Sequence, residues 1–361
     1  MRREPMYALD EVAAEAGSFR EAYARGLGFR PLYVKIKLLY GCNLRCQMCN
    51  HWREARPRQL TTERLLEALD ELAALGCRKV HFTGGEAALR PDLEDLVAHA
   101  AARGIRPTLT SNGTLFTRER ARRIVEAGLR GINVSIDSPV AAVHDTVRGV
   151  TGSYAAALLG LKNLHKEKRH GKLAIAINTV VTRINYATLA DLPRLAAKVG
   201  ARALRLLPVD DHTGLALRPG PAEIARYNRE VAPVLAGRGL AAGLFASEDE
   251  AYPFGRSDRE RAAAVEGNYA LGYYERQPCY APFTHALLDH EGRVFVCCMA
   301  RGEPLLGSLQ SGTFRDAWDG EPFHRVRLAM KGAAKLPACH RCDDFLDENR
   351  RVQAIVDGEG A

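Results

Sequence analysis

No run of 18 apolar residues occurs in the 361-residue chain, so no segment is long enough to cross a bilayer as a helix. Two arginines follow the first methionine, but no apolar stretch lies behind them, and a secretory signal is not expected. No basic run with interleaved aromatics appears, which argues against nucleic acid as a partner. The net charge of +8 comes from 51 Lys+Arg against 43 Asp+Glu. Arginine is scattered through helical stretches, the pattern of a solvated surface with some allowance for an anionic ligand. What is present is a 47% hydrophobic composition, enough to bury the core of one large domain or two ordinary ones. Nine cysteines in a chain with no secretory feature point to metal or redox chemistry rather than disulfides, and to a reducing, cytoplasmic setting.

Three of those cysteines stand together. The apolar run 32–40 predicts a strand. Gly41 ends it, and Cys42, Cys46 and Cys49 follow with C-x3-C-x2-C spacing. A loop that tight can turn three thiolates toward one point. Sulfur ligands select zinc or an iron–sulfur cluster over a hard cation. Structural zinc and ordinary clusters take four protein ligands. With no fourth cysteine nearby, one metal position is left open to a small molecule.

From residue 31 the pattern alternates. Strands are expected at 32–39, 79–83, 106–111, 131–136, 173–181 and 202–207. Helices are expected at 62–75, 91–102, 118–127, 153–168, 187–199 and 221–236, the first capped by Thr61 or Thr62. Gly76, Gly104, Gly128, Gly171 and Gly200 close helices before the next strand. Such alternation predicts a parallel sheet with its site at the carboxyl ends of the strands. Three motifs fall at those ends. In Thr83-Gly84-Gly85-Glu86 the glycines permit close backbone approach to a ligand, and Glu86 can accept from an ammonium. Thr110-Ser111-Asn112-Gly113 suits a cofactor-facing loop. In Ser135-Ile136-Asp137, alternation would point Ser135 and Asp137 toward the barrel mouth. Arg148 offers bidentate geometry to a carboxylate. His144 and Asp145 read equally as a local loop contact or a ligand contact. Asn178, inside the fifth strand, needs a partner. Asp210-Asp211-His212 follows the sixth strand and is a candidate for substrate binding or proton transfer. A single helix over 8–27 precedes the barrel. Residues 238–278 read as an aperiodic bridge that could line a cavity.

The cysteine loop, Gly84-Gly85-Glu86 and the run from Ser135 to Arg148 together resemble the radical S-adenosylmethionine (SAM) enzymes. Two small departures are Ala87 and Ser138, where that family usually has Pro and Gly. The resemblance implies a partial (β/α)6 barrel and a 4Fe–4S cluster held by Cys42, Cys46 and Cys49. The amino and carboxylate groups of SAM would occupy the fourth iron. One electron would cleave SAM to methionine and a 5′-deoxyadenosyl radical, which takes a hydrogen atom from substrate. Glu86 would hold the SAM amino group. Ser135 and Arg148 would bind the carboxylate or ribose, with Asp137 near the ribose. Gly84, Gly85, Ser111, Asn112 and Asn178 complete the expected cofactor contacts. A flavodoxin- or ferredoxin-type electron donor is implied.

The C-terminal part carries Cys279, Cys297, Cys298, Cys339 and Cys342. Apolar runs around Gly292 predict a β-hairpin, with Cys279 before it and Cys297 at its far end. The spacing C-x12-G-x4-C, then 41 residues, then C-x2-C resembles the shortened twitch form of the SPASM domain. That implies a second, auxiliary 4Fe–4S cluster on Cys279, Cys297, Cys339 and Cys342. Zinc is the competing occupant. No cysteine lies in 343–361, so a second auxiliary cluster is not expected. Cys298 is spare: a packed thiol by preference, a hydrogen-atom donor as the alternative. Cys77 reads as inert core. The expected organisation is an N-terminal helical cap (1–30), the barrel (31–237), the bridge (238–278) and a small α+β auxiliary-cluster domain with a C-terminal helix (279–361).

The resemblance implies radical chemistry more sharply than it implies a substrate. The reading placed first is oxidation, or epimerisation, of a small sugar, cyclitol or aminoglycoside. Asp210 and His212 would supply a base for oxidation, and Cys298 a hydrogen atom for epimerisation. The alternative is maturation of a peptide or protein, weighed down because the 30 residues before the barrel are too few for a separate peptide-binding domain. A zinc or iron–sulfur binding protein without catalysis is the third reading.

Overall fold

The computed structural model describes residues 9–54, 58–168, 172–300, 302–332 and 335–358. Gly171, expected to close a helix, lies outside them. Among the described residues nine strands form one sheet: β1 Tyr33–Lys37, β2 Lys79–Thr83, β3 Arg106–Ser111, β4 Gly131–Ser135, β5 Ala174–Val181, β6 Ala203–Pro208, β7 His285–Leu288, β8 Arg293–Phe295 and β9 Gly307–Ser308. Their order is β6-β5-β4-β3-β2-β1-β7-β8-β9. Pairing is parallel from β6 through β7 and antiparallel beyond. Strands β6 and β9 are the two edges, so the barrel stays open, as expected of a partial (β/α)6 barrel.

Alternation sorts β1 cleanly. Val34 and Ile36, with Leu38 just beyond the strand, enter the main core with Val80, Phe82, Leu109, Ile132 and Ile177 from the neighbouring strands. Tyr33, Lys35 and Lys37 point the other way, into the lumen. Each leucine or phenylalanine so buried stabilises the fold by roughly 1.5–3 kcal/mol. Outer helices start where the sequence supplies caps. The Thr61 side chain accepts from Arg64 N, and Thr117 does the same for Arg120.

Three expectations need correction. The helix expected at 8–27 is two helices, Leu9–Ala14 and Ala16–Arg25, because Glu15 leaves helical backbone geometry. The run holding His144 and Asp145 is a helix, Ala141–Arg148, not a loop. The bridge contains helix: the helix expected to end at 236 runs through a π turn at Tyr227–Val231 and on to Ala241, and Asp258–Val265 is helical. The auxiliary region joins the barrel through β7, which pairs with β1 and continues the barrel sheet. A second apolar cluster closes the amino end of β1. There Leu9, Val12 and Phe19 meet Tyr33, Phe283 and Phe345, with Val352 of the helix Leu346–Asp357.

Candidate active site

The cysteine loop leaves β1 at the carboxyl end and is tied at three places. Leu38 N donates to Thr83 O, Gly85 N to Leu39 O and Glu86 N to Gly41 O. The buried Arg90 forks onto Asp92 at 2.8 and 2.6 Å and donates to Leu38 O and Leu60 O, joining the two ends of the loop. Arg45 N and Gln47 N donate to Arg148 O and Val147 O, so the last turn of Ala141–Arg148 holds the residues on either side of Cys46. Trp52 Nε1 donates to Cys46 O at 2.9 Å. Burial pushes the Cys42 thiol up to about 11, with Cys46 and Cys49 adding to the rise, so the three sulfurs feel one another.

Gly84 and Gly85 serve the chain before any ligand. A Cβ on Gly84 would sit 2.4 Å from Leu39 O, and one on Gly85 2.0 Å from Gly41 O. They are small because the stem of the cysteine loop lies against them. Glu86 is 1% exposed. Its carboxylate accepts from Ala88 N at 3.0 Å, Ser111 Oγ at 2.7 Å and Asn112 N at 2.7 Å. This locks the β2 and β3 ends together. Burial raises its pKa, and those three donors work against the rise.

Asp137 departs from its expected place. It is 0% exposed. Its carboxylate accepts from Val180 N and pairs with Arg148 Nε at 2.7 Å. The strand ends at Ser135, so the alternation that would keep the two side chains together no longer applies. Asp137 therefore faces Arg148, whose Nη1 in turn meets Cys46 Sγ of the loop. His144 Nδ1 accepts from Asp137 N, and Asp145 caps the next helix by accepting from Gly152 N, Ser153 Oγ and Tyr154 N. Both make local contacts. Asn178 stands beside Ser135 across β4 and β5, and its buried Oδ1 has no hydrogen-bond partner among the described residues, so it is free to accept from a ligand.

The lumen is polar along its length. His81 bonds Thr108 and Thr110, Thr110 meets Asn133, and Arg205 donates to Asn133 Oδ1 at 2.6 Å. Lys35 Nζ donates to Cys298 Sγ at 3.2 Å, and Cys298 Sγ donates to Asp344 Oδ2 at 3.0 Å. The spare thiol is thus a part-buried bridge between a lysine of β1 and a carboxylate beyond the last cysteine. Lys35 and Asp344 escaped the sequence reading. The only signal was two lysines interrupting an apolar strand. Asp210 and His212 lie at the mouth on an exposed loop, where His212 Nδ1 bonds Asp210 O at 2.9 Å.

Cys279, Cys297, Cys339 and Cys342 line one cavity with Val296, Met330, Leu336 and Phe345. Burial pushes the Cys279 thiol up to about 12 and raises Cys297 and Cys342 well above the ordinary range. Four soft donors around an apolar cavity fit an iron–sulfur cluster. Three thiols plus the orphaned Asn178 acceptor fit a cluster with SAM beside it. Among the described residues no three His, Cys, Asp or Glu side chains converge on one point as for a single metal ion. Cys77 is buried core, as expected.

The Radical SAM superfamily matches residues 36–196, and an iron–sulfur cluster-binding domain, SPASM, matches residues 279–343. The mycofactocin maturase MftC of Mycobacterium ulcerans is 30% identical over 326 residues, 90% of this chain and 84% of that protein. The PqqA peptide cyclase of Rhodopseudomonas palustris is 33% identical over 190 residues, 52% of this chain and 49% of that one. The chain spans about half the length of the AdoMet-dependent heme synthases it also matches, 48% of that from Nitratidesulfovibrio vulgaris at 34% identity. Streptococcus suis SuiB, solved with its precursor peptide SuiA, has the same fold, with a TM-score of 0.65 at 16% identity over 93% of this chain and 77% of that one. The chain belongs to the radical SAM superfamily and carries a C-terminal SPASM domain. It is an enzyme that uses SAM and iron–sulfur clusters.

Proposed function

We propose that this enzyme modifies a peptide held in the barrel lumen. The observation that carries the reading is the similarity to a maturase along nearly the whole chain, at 30% identity over 90% of it. The peptide named in the PqqA cyclase and the precursor peptide bound to SuiB point the same way. This displaces the sugar or cyclitol substrate placed first from sequence. The loop cluster and SAM, when bound, supply a 5′-deoxyadenosyl radical able to take a hydrogen atom.

The chain's own residues divide the work by position. Cys42, Cys46 and Cys49 would hold the cluster that meets SAM. Asn178 Oδ1 would accept from SAM beside Ser135, and Ser111 and Asn112 stay engaged with Glu86. Cys279, Cys297, Cys339 and Cys342 would hold the auxiliary cluster. Between the two sites, Cys298 with Lys35 and Asp344 would touch the substrate, and the polar wall from His81 to Arg205 would orient it. The test is isotopic. Reconstituted enzyme, SAM and a low-potential reductant are given deuterated candidate peptides or deuterated cyclitols. Deuterium should reach 5′-deoxyadenosine from a peptide; transfer from cyclitols alone would restore the small-molecule reading.

A further inference from the structure

A buried cation lies against one cysteine of the loop. Arg148 is 8% exposed and Cys46 is 7% exposed. The guanidinium Nη1 donates to Cys46 Sγ at 3.7 Å. Its Nε meets Asp137 Oδ2 at 2.7 Å on the other side. The same residue's carbonyl accepts from Arg45 N, and a Cβ on the next residue, Gly149, would stand 2.2 Å from Arg45 O. Backbone and side chain of Arg148 therefore grip one cysteine of the three. Among the described residues no guanidinium or ammonium is hydrogen-bonded to Cys42 or Cys49. Leu44 N donates to Cys42 Sγ, and His51 Nδ1 lies 3.4 Å from Cys49 Sγ.

We infer that Arg148 is a positioning residue that sets the reduction potential of the loop cluster through Cys46, with Asp137 trimming its charge. The inference rests on Cys46 being a ligand of that cluster. A hydrogen bond and a positive charge at a ligating sulfur favour the reduced, more negative state of a cluster. Asp137, fully buried against the guanidinium, cancels part of that field. The axis Asp137–Arg148–Cys46 thus holds the potential between two extremes. This differs from the carboxylate-binding role expected from sequence, because Nε and Nη1 of the guanidinium already meet Asp137 and Cys46.

The test is a reductive titration of full-length reconstituted protein followed by electron paramagnetic resonance. The signal that SAM perturbs reports the open-site cluster; the insensitive signal is the internal reference. Arg148→Met should shift the midpoint of the SAM-sensitive signal downward and leave the other unchanged, and Arg148→Lys should recover part of the shift. Asp137→Asn should move the same midpoint upward, because the full charge of Arg148 then acts on Cys46. Opposite signs from two neighbouring variants would not follow from a general loosening of the loop. Unchanged midpoints with weakened SAM binding would overturn the inference in favour of a SAM contact. Loss of the cluster in both variants would overturn it in favour of a purely structural clamp. Retention of both signals in Cys46→Ala would overturn the ligand assignment itself, which distinguishes that failure.

Discussion

The two thiol sites differ in every respect except chemistry. The loop site draws three cysteines from eight consecutive positions, 42–49, and is surrounded by charge: Arg148, Asp137 and Glu86. The cavity site draws four cysteines from positions spread over 279–342 and is surrounded by Val296, Met330, Leu336 and Phe345. The first is held mainly by hydrogen bonds to the loop backbone; the second adds to its apolar wall the hydrogen bonds of Asn349, which fix Pro278 and Tyr280 on either side of Cys279. A site with an open position must keep its shape while a charged ligand comes and goes, which directional bonds do well. A closed site needs only to exclude water, which apolar contact does well. The difference teaches which site should answer to polar substitutions and which to cavities.

The largest break in this comparison is removal of one site at a time. Replacing Cys42, Cys46 and Cys49 by Ala should halve the iron from about eight to about four per chain and abolish all SAM cleavage. Iron assay and chromatography of 5′-deoxyadenosine check it. Replacing Cys339 and Cys342 by Ala should also halve the iron but leave SAM cleavage in the absence of substrate. Loss of SAM cleavage in the second variant would mean that the sites are not separable.

How each site could be read follows from its construction. Strands β2 and β3 fell where alternation put them, and the loop site was legible because its ligands are neighbours in the chain. The cavity site was legible only as a spacing. The helix Ala141–Arg148 was missed because two of its buried side chains are polar, His144 and Arg148, so no apolar stripe announces it. The direction of Asp137 was missed because strand alternation was carried past the end of β4. Lys35 and Cys298 are 263 positions apart, and only the parallel pairing of β1 with β7 brings them together. Arg90 joins Leu38 to Leu60 through backbone oxygens, which leave no trace in side-chain chemistry.

Within the polar half of the comparison, Glu86→Gln tests the strand-end lock. The amide turns an N–H toward the donors of Ser111 or Asn112. Loss of one such buried bond should cost about 1–3 kcal/mol of stability, read by chemical denaturation of the reconstituted protein. Unchanged stability with weakened SAM binding would instead place the carboxylate's main role at the cofactor.

Beneath both sites, His285 sharpens the same contrast by pH. Burial pushes its pKa down to about 3, with Lys35 adding to the fall. The unfolded chain takes up a proton near the ordinary 6.5, and the folded chain does not until far lower. Stability is therefore fully present above pH 6.5 and is lost as pH falls from 6.5 toward 3. The slope is at most about 1.4 kcal/mol per pH unit from this one residue. His285→Gln should flatten denaturation midpoints between pH 6.5 and 5; an unchanged slope would assign the acid sensitivity elsewhere.

The smallest effect is expected where sequence placed a base. Asp210 and His212 have side chains about half and a third exposed, and the imidazole is engaged by the Asp210 backbone carbonyl at 2.9 Å. Water can replace either group, and an exposed pair of this kind is worth little. Lys35 and Asp344, by contrast, meet inside the barrel through Cys298, where removing one partner leaves the others with unmet hydrogen bonds. Asp210→Asn and His212→Gln should therefore change turnover of a peptide substrate by less than about threefold, under 1 kcal/mol at the barrier. Lys35→Met should lower it by about tenfold or more, near 1.4 kcal/mol. The reverse order, with a bell-shaped pH profile lost in His212→Gln, would move the proton chemistry from the lumen to the mouth. It would also return the small-molecule oxidation to contention.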